Sequence, residues 1–171
     1  MTPNRHGSAV VELPDDLSVL ITRKFDAPIA LVFDVLTKPE YVSKWISPLG
    51  CKTKECSIDL RVGGNYHYSF VTEDGTECSF RGTYLEVEPP ARTVETWVFE
   101  GRPHLPAVET VELHEADGVT TLTNRMTYRD KGSRDEEIQH ARGGQDGVGE
   151  SFDQMEDLLR SLLDPTGTVS G

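Results

Sequence analysis

The chain has 171 residues, of which 36% are hydrophobic and 27% are charged, a composition typical of one globular domain with a single core. Its formal net charge of −12 opposes binding to a phosphate backbone, so we expect no nucleic-acid partner. No run approaches the ~20 apolar residues of a membrane-spanning helix, and the N-terminus lacks the apolar stretch of a signal peptide. We therefore expect no membrane partner and a cytoplasmic location.

The first part of the chain predicts one strand and two short helices. Residues 1–16 show no sustained periodicity and are expected to form a flexible leader. Residues 17–25 are rich in β-branched side chains and predict a strand. Asp26 is the expected N-cap of a short helix with Pro28 in its first turn, because apolar residues follow at spacings of three and four, namely Ile29, Val32, Phe33 and Leu36. A second short helix is predicted over residues 39–45.

Residues 52–128 show short alternating runs separated by turns. Turn sequences recur about every 8–14 residues with almost no helical period, which predicts six strands in an antiparallel meander. The turns are Gly63-Gly64, Glu73-Asp74-Gly75, Glu88-Pro89-Pro90, residues 101–106 and Ala116-Asp117-Gly118.

The C-terminal part predicts a long helix. Ser133 and Glu136 have the spacing of a capping box, and an apolar stripe follows from Phe152 to Leu162. Four glycines interrupt the pattern between these segments: Gly143, Gly144, Gly147 and Gly149. They predict either a flexible segment that gates a cavity or a surface kink between a short helix and the long one. Residues 164–171 are expected to form a flexible tail.

These elements together predict an α+β fold over residues 17–163. Its antiparallel sheet has about seven strands, and two short helices lie between the first and second strands. The long C-terminal helix is the only element able to cover the apolar face of the sheet. Sheet and helix are therefore expected to pack on each other.

Several sequence segments, in this order, resemble those of one known superfamily. They are Phe25-Asp26-Ala27-Pro28, residues 44–48, residues 59–66, residues 82–87 and residues 150–159. The chain resembles the START-like (SRPBCC, Bet v 1-like) helix-grip superfamily, and within it the subfamily named for activators of the heat-shock protein 90 ATPase. The resemblance implies a curved sheet wrapped around the C-terminal helix. Relatives in the superfamily bind lipids, hormones and polyketides, and some catalyse cyclisation or hydrolysis.

Strand parity predicts which side chains face inward. Tyr66, Tyr68 and Phe70 share one face of their strand. Two later strands place sets on one face as well: Glu109 with Val111 and Leu113, and Leu122 with Asn124 and Met126. Each of these sets contains one polar residue, and a buried amide or carboxylate needs a partner. A ligand is one candidate partner for Glu109 and Asn124; the others are each other, a tyrosine hydroxyl, buried water or an open rim.

Further residues are candidates for either a cavity wall or an ordinary core. Phe152 and Met155 lie on the apolar stripe of the helix, and Met126 is adaptable in shape. The indole N–H groups of Trp45 and Trp97 need acceptors, so both could orient a ligand, while Trp45 could instead anchor the short helices. The predicted ligand-binding set is Trp45, Tyr66, Tyr68, Phe70, Trp97, Glu109, Asn124, Met126, Phe152 and Met155.

Three functions are compatible with these patterns. The first is binding of a small hydrophobic or aromatic molecule between sheet and helix, as a carrier, sensor or sequestering protein. The second, from the resemblance, is a co-chaperone-like module that stimulates a heat-shock protein 90 ATPase. The third is a cofactor-independent cyclase or hydrolase using Glu109 with Tyr66 or Tyr68.

Known motifs add no cofactor to these hypotheses. G-x-S-x-G, H-E-x-x-H, P-loop and G-x-G-x-x-G patterns are missing from the sequence, so no catalytic residue is assigned and no cofactor is expected. Cys51, Cys56 and Cys78 are odd in number and lack C-x-x-C spacing, so they are expected to be reduced thiols rather than a disulfide framework, and no metal site is expected from them. The sequence leaves a homodimer open.

Overall fold

The computed structural model of the chain describes residues 9–47, 50–141 and 146–164, without the side chains of residues 140–150. Its elements in chain order are β1 (Val10–Glu12), β2 (Ser18–Phe25), α1 (Ile29–Thr37), α2 (Pro39–Trp45), β3 (Lys52–Ile58), β4 (Asn65–Val71), β5 (Glu77–Glu88), β6 (Arg92–Phe99), β7 (Ala107–Ala116), β8 (Val119–Tyr128), α3 (Lys131–Ala141) and α4 (Asp146–Leu163). Within these described ranges, none of the helices is long and apolar enough to span a membrane.

The strands form one antiparallel sheet in the order β1-β2-β8-β7-β6-β5-β4-β3. The six predicted strands from β3 to β8 follow one another as a meander, and β2 pairs with β8 at the end of that meander. Register shifts at Thr53/Glu55 in β3 and at Tyr84/Glu86 in β5 mark bulges, which bend strands and increase their twist. The predicted α+β class and the antiparallel meander are confirmed.

β1 is an eighth strand, in the stretch expected to be a flexible leader. It pairs with β2 from Val10 opposite Thr22 to Glu12 opposite Leu20. All three of its side chains are exposed, so the strand is held by backbone hydrogen bonds. Since neither face of the strand is buried, its sequence does not alternate between apolar and polar residues, and periodicity could not predict it. The sheet therefore begins before residue 17.

Two helix starts differ from the predicted caps. Pro28, not Asp26, is the N-cap position of α1, and the Ile29 N–H donates 2.7 Å to Glu115 Oε1 of β7. α3 begins at Lys131, before the predicted capping box, because Asp130 Oδ1 accepts a 2.7 Å hydrogen bond from the Ser133 N–H. In the first case the cap comes from a residue distant in sequence, and in the second from a nearer acidic residue.

The main core lies between the sheet and helices α1, α2 and α4. Met155 and Leu159 of α4 are buried in one cluster with Phe25 of β2 and Leu122 of β8. Phe152 meets the Phe25 ring edge to face, with centroids 6.0 Å apart. The apolar stripe of the C-terminal helix therefore packs on the sheet as predicted, which is the helix-grip arrangement.

A buried ion-pair cluster also joins α4 to the sheet. Arg23 of β2 has no exposed side-chain surface, and its Nη2 and Nη1 atoms lie 3.1 Å from Asp153 Oδ1 and 3.3 Å from Glu156 Oε1. Its guanidinium carbon is 5.0 Å from the centre of the Phe25 ring. The burial of Arg23 could not be predicted from the sequence, because its neighbours in the chain do not distinguish a buried arginine in a strand from an exposed one.

Candidate functional site

A group of inward-facing residues surrounds a cavity of about 90 Å³ between the sheet and helices α1, α2 and α4. The helices contribute mainly apolar side chains, and the sheet contributes a mixed wall with tyrosines and two carboxyl groups. The lining residues are Phe33, Leu36, Thr37, Val42, Trp45, Ile46, Ile58, Tyr66, Tyr68, Tyr84, Arg92, Thr93, Glu95, Glu109, Val111, Leu113, Leu122, Asn124 and Phe152.

Arg92 lines the cavity and also reaches the solvent, and we call its surroundings the mouth of the cavity. A third of its side chain is exposed, and its Nη1 lies 2.6 Å from Glu112 Oε2. Its Nε lies 3.4 Å from Glu86 Oε1 and 3.7 Å from Glu88 Oε2. One cation therefore meets three carboxylates, and the mouth of the cavity is acidic.

Two glutamates form the polar part of the cavity wall. Glu95 of β6 and Glu109 of β7 are directly opposite each other in the sheet register. Asn124 of β8 donates from Nδ2 to Glu109 Oε2 at 2.6 Å. Of the partners left open for Glu109 and Asn124, the structure therefore shows that they bond to each other, and it adds Glu95 beside them.

Burial controls the ionisation of this carboxyl pair. It raises the pKa of Glu95 to about 9, with the neighbouring charge of Glu109 as a further cause. Burial also raises the pKa of Glu109, against which the hydrogen bond from Asn124 acts. Since two close carboxylates resist ionising together, the pair retains a proton at neutral pH, and we assign it to Glu95.

Two acceptor atoms in the wall are unsatisfied. Glu95 Oε1 and Asn124 Oδ1 are buried and have no hydrogen-bond partner among the described residues. Solvent reaches little of Glu95, because the residue is only 8% exposed. An unsatisfied buried polar group costs on the order of 1–3 kcal/mol. These two oxygen atoms are therefore available to accept hydrogen bonds from a bound molecule.

Two of the three tyrosines in the wall have hydrogen-bond partners within the protein. Tyr66 donates its O–H 2.8 Å to the Thr96 carbonyl, and the Tyr68 oxygen accepts a hydrogen bond from the Trp97 indole N–H. Burial raises the pKa of both tyrosines, so neither is an ionised base at neutral pH. Their rings stack with centroids 5.8 Å apart and offer aromatic faces rather than proton transfer.

Gly82 of β5 makes room for the Tyr66 ring. It lies opposite Tyr66 in the register, and a Cβ atom there would stand 1.8 Å from the Thr96 carbonyl oxygen and 2.5 Å from the Tyr66 ring. Any larger residue would displace the ring or the strand. The glycine therefore determines the position of the tyrosine wall.

The structure brings six of the ten predicted ligand-binding residues to the cavity wall: Trp45, Tyr66, Tyr68, Glu109, Asn124 and Phe152. Trp45 donates its indole N–H 2.9 Å to the Val35 carbonyl, so that donor anchors α2 to α1 and does not face a ligand.

The other four predicted residues are not among those that line the cavity. Phe70 stacks on Phe80 with centroids 5.8 Å apart, and Trp97 lies 5.7 Å from the same ring. Met126 packs in a separate cluster with Tyr128, and Met155 is fully buried in the main core. Strand parity for Phe70 and Met126, and the helical stripe for Met155, specify the face on which a side chain lies but not its position along the element.

Glu95 and Tyr84 are the principal residues that sequence analysis missed. Glu95 has the same parity as Trp97, two residues further along β6, so strand parity applied to β6 would have placed Glu95 on the same face as the predicted Trp97. The predicted gate lies largely beyond the description: Gly143 and Gly144 fall outside the described residues, and Gly147 and Gly149 belong to the backbone of α4. Gating stays a prediction.

Comparison with known proteins identifies the family. The family model described as "Activator of Hsp90 ATPase homolog 1-like protein" matches residues 26–160. The chain belongs to this family. This is the subfamily that the sequence segments resemble, so the START-like resemblance is confirmed. No curated protein gives a significant match.

Solved structures share the architecture of this activator of Hsp90 ATPase homolog 1-like chain. A protein from Rhodobacter sphaeroides has a TM-score of 0.82 at 19% identity, over 90% of this chain and 99% of that one. One from Arthrobacter aurescens has a TM-score of 0.79 at 21% identity, over 92% and 93%. One from Nitrosomonas europaea has a TM-score of 0.75 at 24% identity, over 88% and 99%. At these identities the likeness concerns the fold alone.

Proposed function

We propose that this protein binds a small hydrophobic or aromatic molecule in the cavity beneath α4, as a carrier, sensor or sequestering protein. The observation that carries the proposal is the composition of the wall, where aromatic and aliphatic side chains surround a few convergent polar groups. Ligand sites generally combine an apolar lining with few polar groups. Unsatisfied buried acceptors in that wall add support.

The size of the cavity limits what binds without rearrangement. At about 90 Å³ it is smaller than the ~150 Å³ apolar cavity known to hold benzene. A ligand with one ring therefore requires outward movement of Phe152, whose ring forms the α4 side of the wall. Trp45 would have to adjust with it, because the two ring centroids are 6.4 Å apart.

A thermal-shift screen with apolar and aromatic compounds tests this function. A ligand present at about 100 times its dissociation constant should raise the melting temperature by about 5–10 °C for a chain of this length. Val111→Phe, which fills the cavity from β7, should abolish the shift. Val108→Phe is the matched control, because Val108 is 37% exposed and points away from the cavity on the same strand.

Circular dichroism should show that both variants keep the wild-type secondary structure. The binding function is rejected if no compound in a broad screen stabilises the wild type. It is also rejected if the Val111→Phe variant, still folded, responds to every stabiliser as strongly as the wild type does.

A second candidate function is stimulation of a heat-shock protein 90 ATPase. The description of the family, which names activators of that ATPase, favours it. Purified chain should then raise the rate of ATP hydrolysis by a bacterial heat-shock protein 90 in a dose-dependent way. Stimulation that survives Val111→Phe would assign the activity to the protein surface, and an unchanged rate at saturating chain would reject this candidate.

A further inference from the structure

We propose that the ligand of this cavity is a small organic amine, bound as a cation with its ammonium group against Glu95, Glu109 and Asn124 and its apolar part among the aromatic rings. This inference rests on the proposed binding function and adds the charge class of the ligand to it.

The hydrogen-bond inventory of the wall is the first argument. Tyr66 donates to the Thr96 carbonyl, Asn124 donates to Glu109, and the proton assigned to Glu95 lies in its hydrogen bond with Glu109. The buried side-chain atoms of the wall that lack partners among the described residues, Glu95 Oε1 and Asn124 Oδ1, are both acceptors. A ligand that complements this wall must therefore bring donors, and an ammonium group carries three donors and no acceptor.

Charge is the second argument. A carboxyl pair that shares one proton carries a single negative charge, and a buried charge is costly unless it is paired. Of the described residues lining the cavity, Arg92 is the one cation, and its guanidinium is held at the mouth by Glu112 and Glu86. A cationic ligand would compensate the charge of the pair, whereas a carboxylate ligand would add to it.

The surroundings of the carboxyl pair favour the same class. Three carboxylates at the mouth, Glu86, Glu88 and Glu112, exceed the single charge of Arg92 and attract cations toward the entrance. Inside, Tyr66 and Tyr84 lie with ring centroids 5.6 Å apart, next to the glutamates in the wall. Aromatic faces stabilise an adjacent ammonium group by cation–π interaction.

A series of one-ring probes of similar shape separates charge from apolar binding. We would measure dissociation constants of benzylamine, benzyl alcohol, toluene and benzoate by ligand-observed NMR and calorimetry at pH 7. Benzylamine should bind at least about tenfold more tightly than benzyl alcohol, and benzoate should bind most weakly of the four. A tenfold difference corresponds to about 1.4 kcal/mol.

Variants locate the preference. Glu109→Gln, alone and together with Glu95→Gln, should reduce benzylamine affinity by about tenfold while changing toluene affinity by less than about threefold. Glu95→Gln alone replaces the protonated carboxyl by a neutral amide and should reduce benzylamine affinity by less than about threefold. Glu77→Gln, the loss of an exposed carboxylate on β5, is the matched control and should leave both affinities unchanged.

The outcomes distinguish this inference from the function on which it rests. Equal affinity for the amine, the alcohol and toluene, or an amine preference that survives loss of both carboxyl groups in the double variant, overturns the inference and leaves apolar binding intact. Failure of all four probes, together with failure of the broad compound screen, overturns both.

Discussion

The ion-pair cluster around Arg23 allows a direct test of how α4 is held on the sheet. Arg23→Met keeps a side chain of similar length but removes the charge that pairs with Asp153 and Glu156. The Glu156 side chain is 3% exposed and would lose one of its cationic neighbours. Removing one member of a buried ion pair typically costs about 3–5 kcal/mol.

The local geometry places the expected cost near the lower end of that range. Arg160 remains 3.1 Å from Glu156 Oε2, and the Asp153 side chain is 18% exposed, so both carboxylates keep some stabilisation. We expect Arg23→Met to lower the free energy of unfolding by about 3 kcal/mol. For a chain of this length that corresponds to a melting temperature lower by about 6–12 °C.

Urea unfolding followed by circular dichroism measures the change, and the chain offers a matched control. Arg125 on β8 lies 3.0 Å from Asp15, with side chains 40% and 49% exposed. Exposed pairs contribute at most about 1 kcal/mol, so Arg125→Met should have little effect. The double variant Arg23→Met with Glu156→Leu should recover part of the loss, because it no longer buries an under-compensated charge. A cost for Arg23→Met equal to that of Arg125→Met would refute this account of the cluster.

Three further predictions concern single sites. Gly82→Ala should destabilise the fold by about 1–3 kcal/mol in urea unfolding because its Cβ would overlap the Thr96 carbonyl, whereas Gly132→Ala in α3 should be neutral or stabilising; equal effects would contradict the steric argument. Glu115→Ala should cost about 1 kcal/mol by removing the cap of α1, and an unchanged denaturation midpoint would exclude that role. Because burial raises the pKa of Glu95 to about 9 in the folded state, well above its unfolded value near 4.3, the proton bound by the folded protein stabilises it at low pH. Stability should therefore fall as pH rises from about 5 to 9, and Glu95→Gln should flatten this dependence; identical pH profiles for the two proteins would show that Glu95 does not hold the proton.

Local patterns in the sequence were sufficient for much of the fold. The alternation in residues 52–128 determined six strands and their sequential pairing, since each turn joins antiparallel neighbours. The 3.6-residue period of α4 determined which helix face packs on the sheet. Parity placed Tyr66, Tyr68 and Asn124 on the inner side, and all three line the cavity.

Contacts between residues far apart in the chain could not be obtained in this way. Parity specifies the face on which a side chain lies, but not its neighbour on the next strand or its height along the sheet. Both the neighbour and the height depend on the pairing register. The register sets Glu95 opposite Glu109, and Phe70 lies outside the set of residues that line the cavity. For the same reason the cap of α1 by Glu115 has no local sign in the sequence.

The sequence by itself determined the class of elements, their order and the apolar side of each, because these follow from backbone preferences and periodicities over a few residues. Only the tertiary structure decided which polar groups meet on that side. Arg23 of β2 pairs with two carboxylates of α4, and Glu95 and Asn124 have unsatisfied acceptor atoms in the cavity wall. Neither fact follows from local sequence, because the cost of burying a charged or polar group depends on which residues surround it in the folded chain. The chemistry of the cavity depends on those neighbours.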